Sequence, residues 1–575
     1  MINKLTIILM TVGLGCLSAC DNDEFLTNER FSFAYGTPAE YEFAAQGAYA
    51  KVNTHPSRGN TIFTNFMMAK LMASDEILRL EGIAESGTVP QAYFRDFENE
   101  NLYVGSTNFG RAYDGILNAN FGIQFYEEAN GEPFGELIAE EQAGVDRVAG
   151  ELYFLRAYFY YWLARVYLPW YDPAGNNTSG QLPFYDRPLE SITEGRASDL
   201  VNTQEVWDFV VADLERAKTL LPPHYDPAVH PELYADGRAD GGAARALLAR
   251  VYFNRGEWDQ ALTNLNEVID DPHYAIEDDP LEAWNKRGPV PRSPEVIWYL
   301  SNYFEGFYAV AQISTITKLH GNFKQPGFGG KRGFAPSSEF GSHYISPFIS
   351  YSLSDHISEY VGWMEDPVSG NYTATPLAEQ DKRYNQVMHR YEASITQAVA
   401  SGSVPTDFVD SLGVYLPSTG DNIAGSNILD KTSVIDRPYI YLHKYYRYAG
   451  SDARGRVANI PVLRLPEMVL TRAIILARGG NGAGEDEGQA LADLNLVRTT
   501  RGLESVTASG EALEEEIHRE RAREMMGEND RLEYLMTLGL PIGPGDRTNA
   551  PVVNTPYSNF HYQIPAEELN NNGSY

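Results

Sequence analysis

At 575 residues, 43% of them hydrophobic, the chain is long enough for several domains and has the apolar content of a globular protein. Its 78 Asp and Glu outweigh 45 Lys and Arg, a formal net charge of −33. That balance disfavours nucleic acid, whose phosphates need neutralising cations, and also polybasic attachment to anionic lipid. An anionic ligand is disfavoured but not excluded, because net charge is a weak guide to one local site. The 37 tyrosines against 7 tryptophans supply rings that carry a hydroxyl, suited to wet binding surfaces as well as to cores.

The first residues read as an address. Lys4 gives a positive start, Leu5 to Leu14 an apolar run, and Leu17-Ser18-Ala19-Cys20 a small-residue cleavage site. The run is too short for a comfortable membrane span, so residues 1–19 are predicted to be a signal peptide. A cleavage site ending in cysteine resembles the lipobox of bacterial lipoproteins, which implies that Cys20 is acylated and becomes the first mature residue. Several acyl chains on one residue would anchor the protein stably. Asp21, Asp23 and Glu24 follow and resemble the acidic export signal of surface lipoproteins. The only cysteines are Cys16 and Cys20, so the mature chain is expected to have no disulfide and no free thiol. Stability then has to come from helix packing.

Along the mature chain, Glu40 to Val52 and Phe109 to Tyr126 carry apolar residues at helical spacing. Between them, Ala73 to Thr107 reads as loop or short turns, with Gly82, Gly87, Pro90 and Gly105. Glu151 to Leu168, ELYFLRAYFYYWLARVYL, is apolar all round and predicts an inner helix buried on both sides. Gln204 to Leu221 is a cleaner amphipathic helix stopped by Pro222 and Pro223. Ala243 to Pro272 then predicts two antiparallel helices joined at Gly256. Leu248, Ala249, Tyr252, Gly256, Trp258, Ala261 and Leu265 stand at tetratricopeptide spacing. Small Ala249 and Ala261 allow close approach, while Tyr252, Trp258 and Leu265 fill the groove. A hairpin of this kind cannot bury its own face, so it predicts neighbours.

Beyond Pro272 the texture changes. Pro294 to Asn302 predicts a short strand, Tyr303 to Phe348 is dense in Gly, Phe and Tyr without a period, and loop character persists to Asp452. Irregular stretches of this length in an ordered protein usually carry function. A second hairpin is predicted at Leu463 to Ala477 and Gln489 to Arg501, and a last helix at Glu511 to Leu538.

Motifs for catalysis are missing. The sequence has no H-E-x-x-H and no G-x-S-x-G, and no mature-chain cysteine for a zinc or nucleophile site. Gly327 to Arg332 resembles a phosphate loop only superficially. Gln325 occupies the first Gly position, and Arg332 stands where Ser or Thr must reach magnesium. His518 reads as part of a solvated helix face, with Glu515 and Arg519 at pairing distance. A two-carboxylate glycosidase is not excluded by so acidic a sequence, but nothing on the helices points to one. Asp172 to Gly180 offers oxygens for calcium without the spacing of an EF-hand, and reads as a polar turn. No catalytic residue and no cofactor is expected; structural calcium is the one ion left open.

Nine stretches in order carry a resemblance to the SusD/RagB family of outer-membrane nutrient-binding lipoproteins: FLRAYFYYWLARVY, WDFVVADLERAKTLLP, the Gly237 to Leu262 hairpin, SPEVIWYL, DKRY at Asp381 to Tyr384, NIPVLRLPEMVLTRA, ALADLNLVRTTRGL, IHRERAREMM and YQIPAEEL. The pattern departs at Glu528 to Tyr534, where the family continues with Gly, Arg, aromatic residues and Asp. The resemblance implies a mainly α fold, with a tetratricopeptide-like scaffold, long irregular insertions and a few short strands. One domain is expected over 20–575, with a helical part to 290, a loop-rich ligand-binding part at 291–452 and a helical part at 453–575. It further implies a surface protein of the outer membrane that captures an oligosaccharide or polysaccharide and passes it to a SusC-like TonB-dependent transporter, making and breaking no bonds.

Family ligand sites come from an early loop and from mid-chain loops. Here these point to Asp75, Tyr93 and Phe94, and to Tyr303, Phe307, Phe323, Phe328 and Trp363, since flat rings stack on sugar C–H faces while a few polar groups fix the hydroxyls. A peptide-binding member of the family and a tetratricopeptide adaptor without a small ligand are the alternatives.

Overall fold

The computed structural model describes residues 35–53, 62–79, 89–99, 104–189, 198–280, 293–300, 351–365, 373–390 and 460–574, apart from single or paired positions, together with the backbone of short strands between 303 and 442. Cys20 and the signal peptide lie outside the described residues, as do Phe323 and Phe328. The fold is mainly helical. In the N-terminal part lie α1 Pro38–Asn53, α2 Ile62–Ala73, α3 Val89–Tyr93, α4 Ser106–Glu128, α5 Ala139–Tyr167, α6 Thr203–Leu220, α7 Gly241–Arg255 and α8 Trp258–Ile269. Three short helices follow, α9 Asp355–Tyr360, α10 Pro376–Gln380 and α11 Lys382–Gln386. The C-terminal part holds α12 Leu465–Arg478, α13 Glu487–Thr500, α14 Glu511–Met525, α15 Arg531–Thr537 and α16 Ala566–Asn571.

The all-round apolar run becomes the axis: every residue of α5 from Arg147 to Tyr167 is buried, between α4 and α1 on one side and α6 on the other. Close approach to α4 requires a glycine there, since a Cβ on Gly115 would lie 2.1 Å from the Phe159 ring. Tyrosine hydroxyls tie the layers across long sequence distances. Tyr41 donates to the Gly122 carbonyl at 2.9 Å, Tyr113 to that of Pro183 at 2.8 Å and Tyr167 to that of Val104 at 2.7 Å. A buried hydroxyl with a partner contributes ring area without a desolvation penalty, which accounts for much of the tyrosine content.

Packing then runs α5 to α6 to α7 to α8 to α12 to α13. The hairpin at Gly256 is present. The Asp240 carboxylate caps α7 by accepting from the Ala243 amide at 2.9 Å, and Gly256, at φ +74°, turns the chain into α8. Leu248, Ala249, Ala261 and Leu265 are fully buried along the seam. The second hairpin is α12–α13. The last helix differs from expectation: Glu511 to Leu538 is divided into α14 and α15, because Gly527 at φ +75° and Asn529 at φ +65° take left-handed conformations that no helix continues through.

Among the described residues the strands are short and paired in antiparallel twos. Val296–Leu300 pairs with Ile460–Arg464, in the register Leu300 to Ile460 and Val296 to Arg464, so the irregular chain between them is closed at its base. Trp298 on this ladder donates to the Gly237 carbonyl at 2.9 Å and packs edge-on against Phe154 and Tyr158 of α5.

Buried charge ties the C-terminal helices to the segments at Glu295 and at 381–383. Glu524 of α14 accepts from Arg464 at 2.9 Å, from Arg501 at 2.9 and 3.0 Å and from Arg383 at 3.1 Å. Glu295 shares the Arg501 Nη2 with Glu524, at 2.8 Å, and also pairs with Arg464. Arg383 is further held by Asp381 and Glu520. Burial opposes ionisation of Glu524, but the Arg501 and Arg464 guanidiniums beside it outweigh that and hold its carboxyl well below the usual range.

His518 is a correction to the solvated-face reading. Arg519 and Glu515 do pair, at 3.1 Å, but the imidazole turns inward and its Nδ1 sits 2.6 Å from the Tyr534 hydroxyl. Burial, then the charges of Arg478, Arg531 and Arg521, push it down to about 4. Below pH 6.5 the unfolded chain therefore takes up a proton that the folded chain refuses until about pH 4. The expected result is a loss of stability of up to about 3 kcal/mol as pH falls from 6.5 to 4. Thermal unfolding of wild type and His518→Gln across that window checks it, the variant having the shallower slope; parallel slopes would refute the assignment.

Candidate ligand cleft

An open cleft of about 580 Å³ lies where the early loop meets the chain between α15 and α16. One wall is residues 94–97, just after α3, and the other is drawn from the described residues between Arg547 and Phe560. Volumes of 300–1,000 Å³ suit small-molecule ligands (about that range for typical sites).

The wall after α3 is set by a strained turn. Arg95 holds φ +60°, a left-handed conformation uncommon for a residue with a side chain. It is fixed there because Nε donates to the Ala73 carbonyl at 2.9 Å and Nη2 to the Gly543 carbonyl at 2.6 Å. Two adjacent rings precede the turn. Tyr93 is buried under the Arg547 guanidinium, 4.3 Å from its ring centre, and packs edge-on against Phe94 at 5.2 Å. Phe94 itself is 57% exposed at the cleft, an unusual position for so large a ring. Phe97 and Phe560 meet at 4.6 Å across the junction of the walls, and Arg95 lies over Phe560 at 5.5 Å. The far wall adds Tyr557, whose hydroxyl donates to the Leu540 carbonyl at 2.6 Å, and exposed Pro551, Pro556 and Asn559.

Of the expected site residues, the structure brings Phe94 to this cleft, with Tyr93 behind it as a buried support. Asp75 is a correction. It lies under the surface in a two-armed ion pair with Arg531, at 2.7 and 2.8 Å, and its backbone carbonyl accepts from Ser354 at 2.6 Å. Burial alone would raise its carboxyl, but the Arg531 guanidinium outweighs that and keeps it below the usual range. The same arginine serves Glu76 less well, and burial pushes that carboxyl up to about 8. Trp363 is a second correction. It is fully buried, donating to Asp381 at 3.1 Å, so it packs the core and presents no ring to a ligand. Tyr303 and Phe307 sit on a two-stranded hairpin, Tyr303–Phe304 with Phe307–Tyr308, and their side chains fall outside the described residues. The 172–180 segment is a turn held by its own side chains: Asn177 Oδ1 accepts from the Asp172 amide at 2.8 Å, and Asp172 Oδ1 accepts from that of Ala174 at 3.0 Å.

The 547–560 wall was not anticipated from sequence. Its signal is an irregular run, GPGDRTNAPVVNTPYSNFHY at 543–562, in which Pro551, Pro556, Tyr557 and Phe560 follow the last long helical pattern.

Comparison with known proteins gives the family. Residues 294–536 match the model of the SusD family, and residues 52–253 match that described as starch-binding associating with outer membrane. The chain belongs to the SusD/RagB family. It is 24% identical over 545 residues to SusD-like protein P2 of Formosa agariphila, covering 92% of this chain and 87% of that one. It shares its fold with a SusD-like carbohydrate-binding protein of Bacteroides vulgatus, at TM-score 0.64 and 16% identity over 94% and 97% of the two chains. A laminarin-binding SusD-like protein has the same fold, at TM-score 0.60 and 18% identity over 94% and 100%.

Proposed function

We propose that this chain is a non-catalytic, outer-membrane glycan-binding lipoprotein that takes an oligosaccharide into the cleft between residues 94–97 and 547–560 and hands it to a SusC-like TonB-dependent transporter. The observation that carries the reading is Phe94, a ring held open to the cleft by the left-handed Arg95, with further rings and amide and guanidinium donors around it. A pyranose needs a flat apolar face for its C–H side and donors or acceptors at its rim. The family model for residues 52–253 and the names of the structural relatives support a carbohydrate over other nutrients. Attachment rests on Cys20. Among the described residues, no helix is long and apolar enough to cross a membrane.

Calorimetry against a panel of oligosaccharides and peptides tests the ligand class. Heat with saccharides alone is expected; heat with peptides alone would move the protein to the peptide-binding reading. Loss of membrane retention in Cys20→Ala, and co-purification of a barrel transporter with the wild type, are the expected results for the anchor and the partner.

A further inference from the structure

The cleft is a local exception to the charge of the molecule. In a chain with 78 acidic residues, no carboxylate lines it among the described residues, whereas Arg95 and Arg547 both do. Neither arginine has a carboxylate at ion-pair distance among those residues. Among the described residues, Arg547 donates to the carbonyls of Tyr93, Pro544 and Met72. Arg95 donates to those of Ala73 and Gly543, and among the same residues its Nη1 has no acceptor. The nearest acids are committed elsewhere: Asp75 to Arg531, and Asp546 to the amides of Asp355 and His356 at 2.7 and 3.3 Å. Carbonyl dipoles satisfy guanidinium hydrogen bonds but leave the charge in place. Burial and repulsion from Arg547 pull Arg95 down to about 10, and burial lowers Arg547 also, the attraction of Asp75 for both and of Asp546 for Arg547 being too weak to reverse it.

We propose that the cleft selects an anionic saccharide, one carrying a carboxylate or a sulfate, over a neutral sugar of the same size. The inference rests on the glycan-binding reading above and adds the charge of the ligand to it. Rings supply the stacking surface common to both sugars, and the two cations, which have no carboxylate paired with them among the described residues, distinguish between them. The net charge of −33 repels such a ligand at long range, so selectivity arises at short range inside the cleft, where screening is weak.

The test is calorimetric titration of the whole mature protein with three trisaccharides of equal ring number: a uronate, a sulfated sugar and a neutral one. At low salt the better acidic ligand is expected to bind about tenfold tighter than the neutral one, and the ratio should shrink in about 0.5 M NaCl. Comparison of the uronate and sulfate arms separates the two anions. Arg95→Met should reduce the ratio to about one while Arg95→Lys keeps it. Because Arg95 also ties the turn, exposed Asn559→Asp serves as a variant that leaves those ties alone; it should weaken acidic ligands about tenfold and the neutral one much less. Equal or stronger binding of the neutral sugar by wild type would overturn the inference and leave glycan binding standing. A preference unchanged in both Arg95→Met and Asn559→Asp would place the selecting charge elsewhere and overturn it too. Failure of all three sugars to bind would instead count against the glycan reading itself.

Discussion

Glu524→Ala is expected to lower the free energy of unfolding by about 3–5 kcal/mol, the effect of removing one member of a buried ion network and leaving its partners charged. Arg464 and Arg501 would still have Glu295 and, for Arg464, Glu528, while Arg383 would keep Asp381 and Glu520. Denaturant unfolding at neutral pH measures it. The second variant, Arg464→Ala, should not add fully to the first, because both remove the same contact. Full additivity, or a loss below about 1 kcal/mol, would show that the network is incidental to stability. The network also explains how distant segments find one another. It joins Glu295 just before its strand, Asp381 and Arg383 at the start of α11, Arg464 before α12, Arg501 after α13 and two acids of α14.

Phe94→Ala is expected to weaken oligosaccharide binding about tenfold or more, roughly 1.4 kcal/mol, the range for truncating an aromatic anchor. Because the ring is exposed, unfolding should shift by no more than about 0.5 kcal/mol. That split separates it from Tyr93→Ala, which would lose a buried ring and the platform under Arg547, and should fall in both stability and binding. Calorimetry paired with thermal unfolding distinguishes the two variants. Unchanged affinity in a folded Phe94→Ala protein would remove this ring from the site.

The frame was legible because its determinants are local or repeat within a few turns. An apolar run of 18 residues has nowhere to go but inside, and Gly256 between two small-residue seams forces a hairpin. The stretches that carried the family resemblance turn out to hold the buried charges: DKRY contains Asp381 and Arg383, LRLPE contains Arg464, VRTTRGL contains Arg498 and Arg501, and IHRERAREMM contains Glu520, Arg523 and Glu524. What made the sequence recognisable is what makes the packing specific. The break at Gly527 and Asn529 was hidden because the apolar period continues across it into Leu532 and Leu535.

The cleft was half legible. An early loop with adjacent rings pointed to Phe94, but nothing local says that Asp75 will meet an arginine 456 positions further on, or that Trp363 will be covered by the 381–384 turn. Which acid is solvated and which is buried depends on tertiary partners. The opposite wall went unseen for the same reason, since its prolines and rings become a surface only when Gly543 and Arg547 dock on the early loop.

Hydrogen exchange of the mature protein with and without a bound oligosaccharide is the most direct measurement of where the ligand sits. Slowed exchange is expected in peptides spanning 93–99 and 550–563, with the buried α5 unchanged. Protection confined to other segments, with both cleft walls exchanging at their free rates, would contradict it.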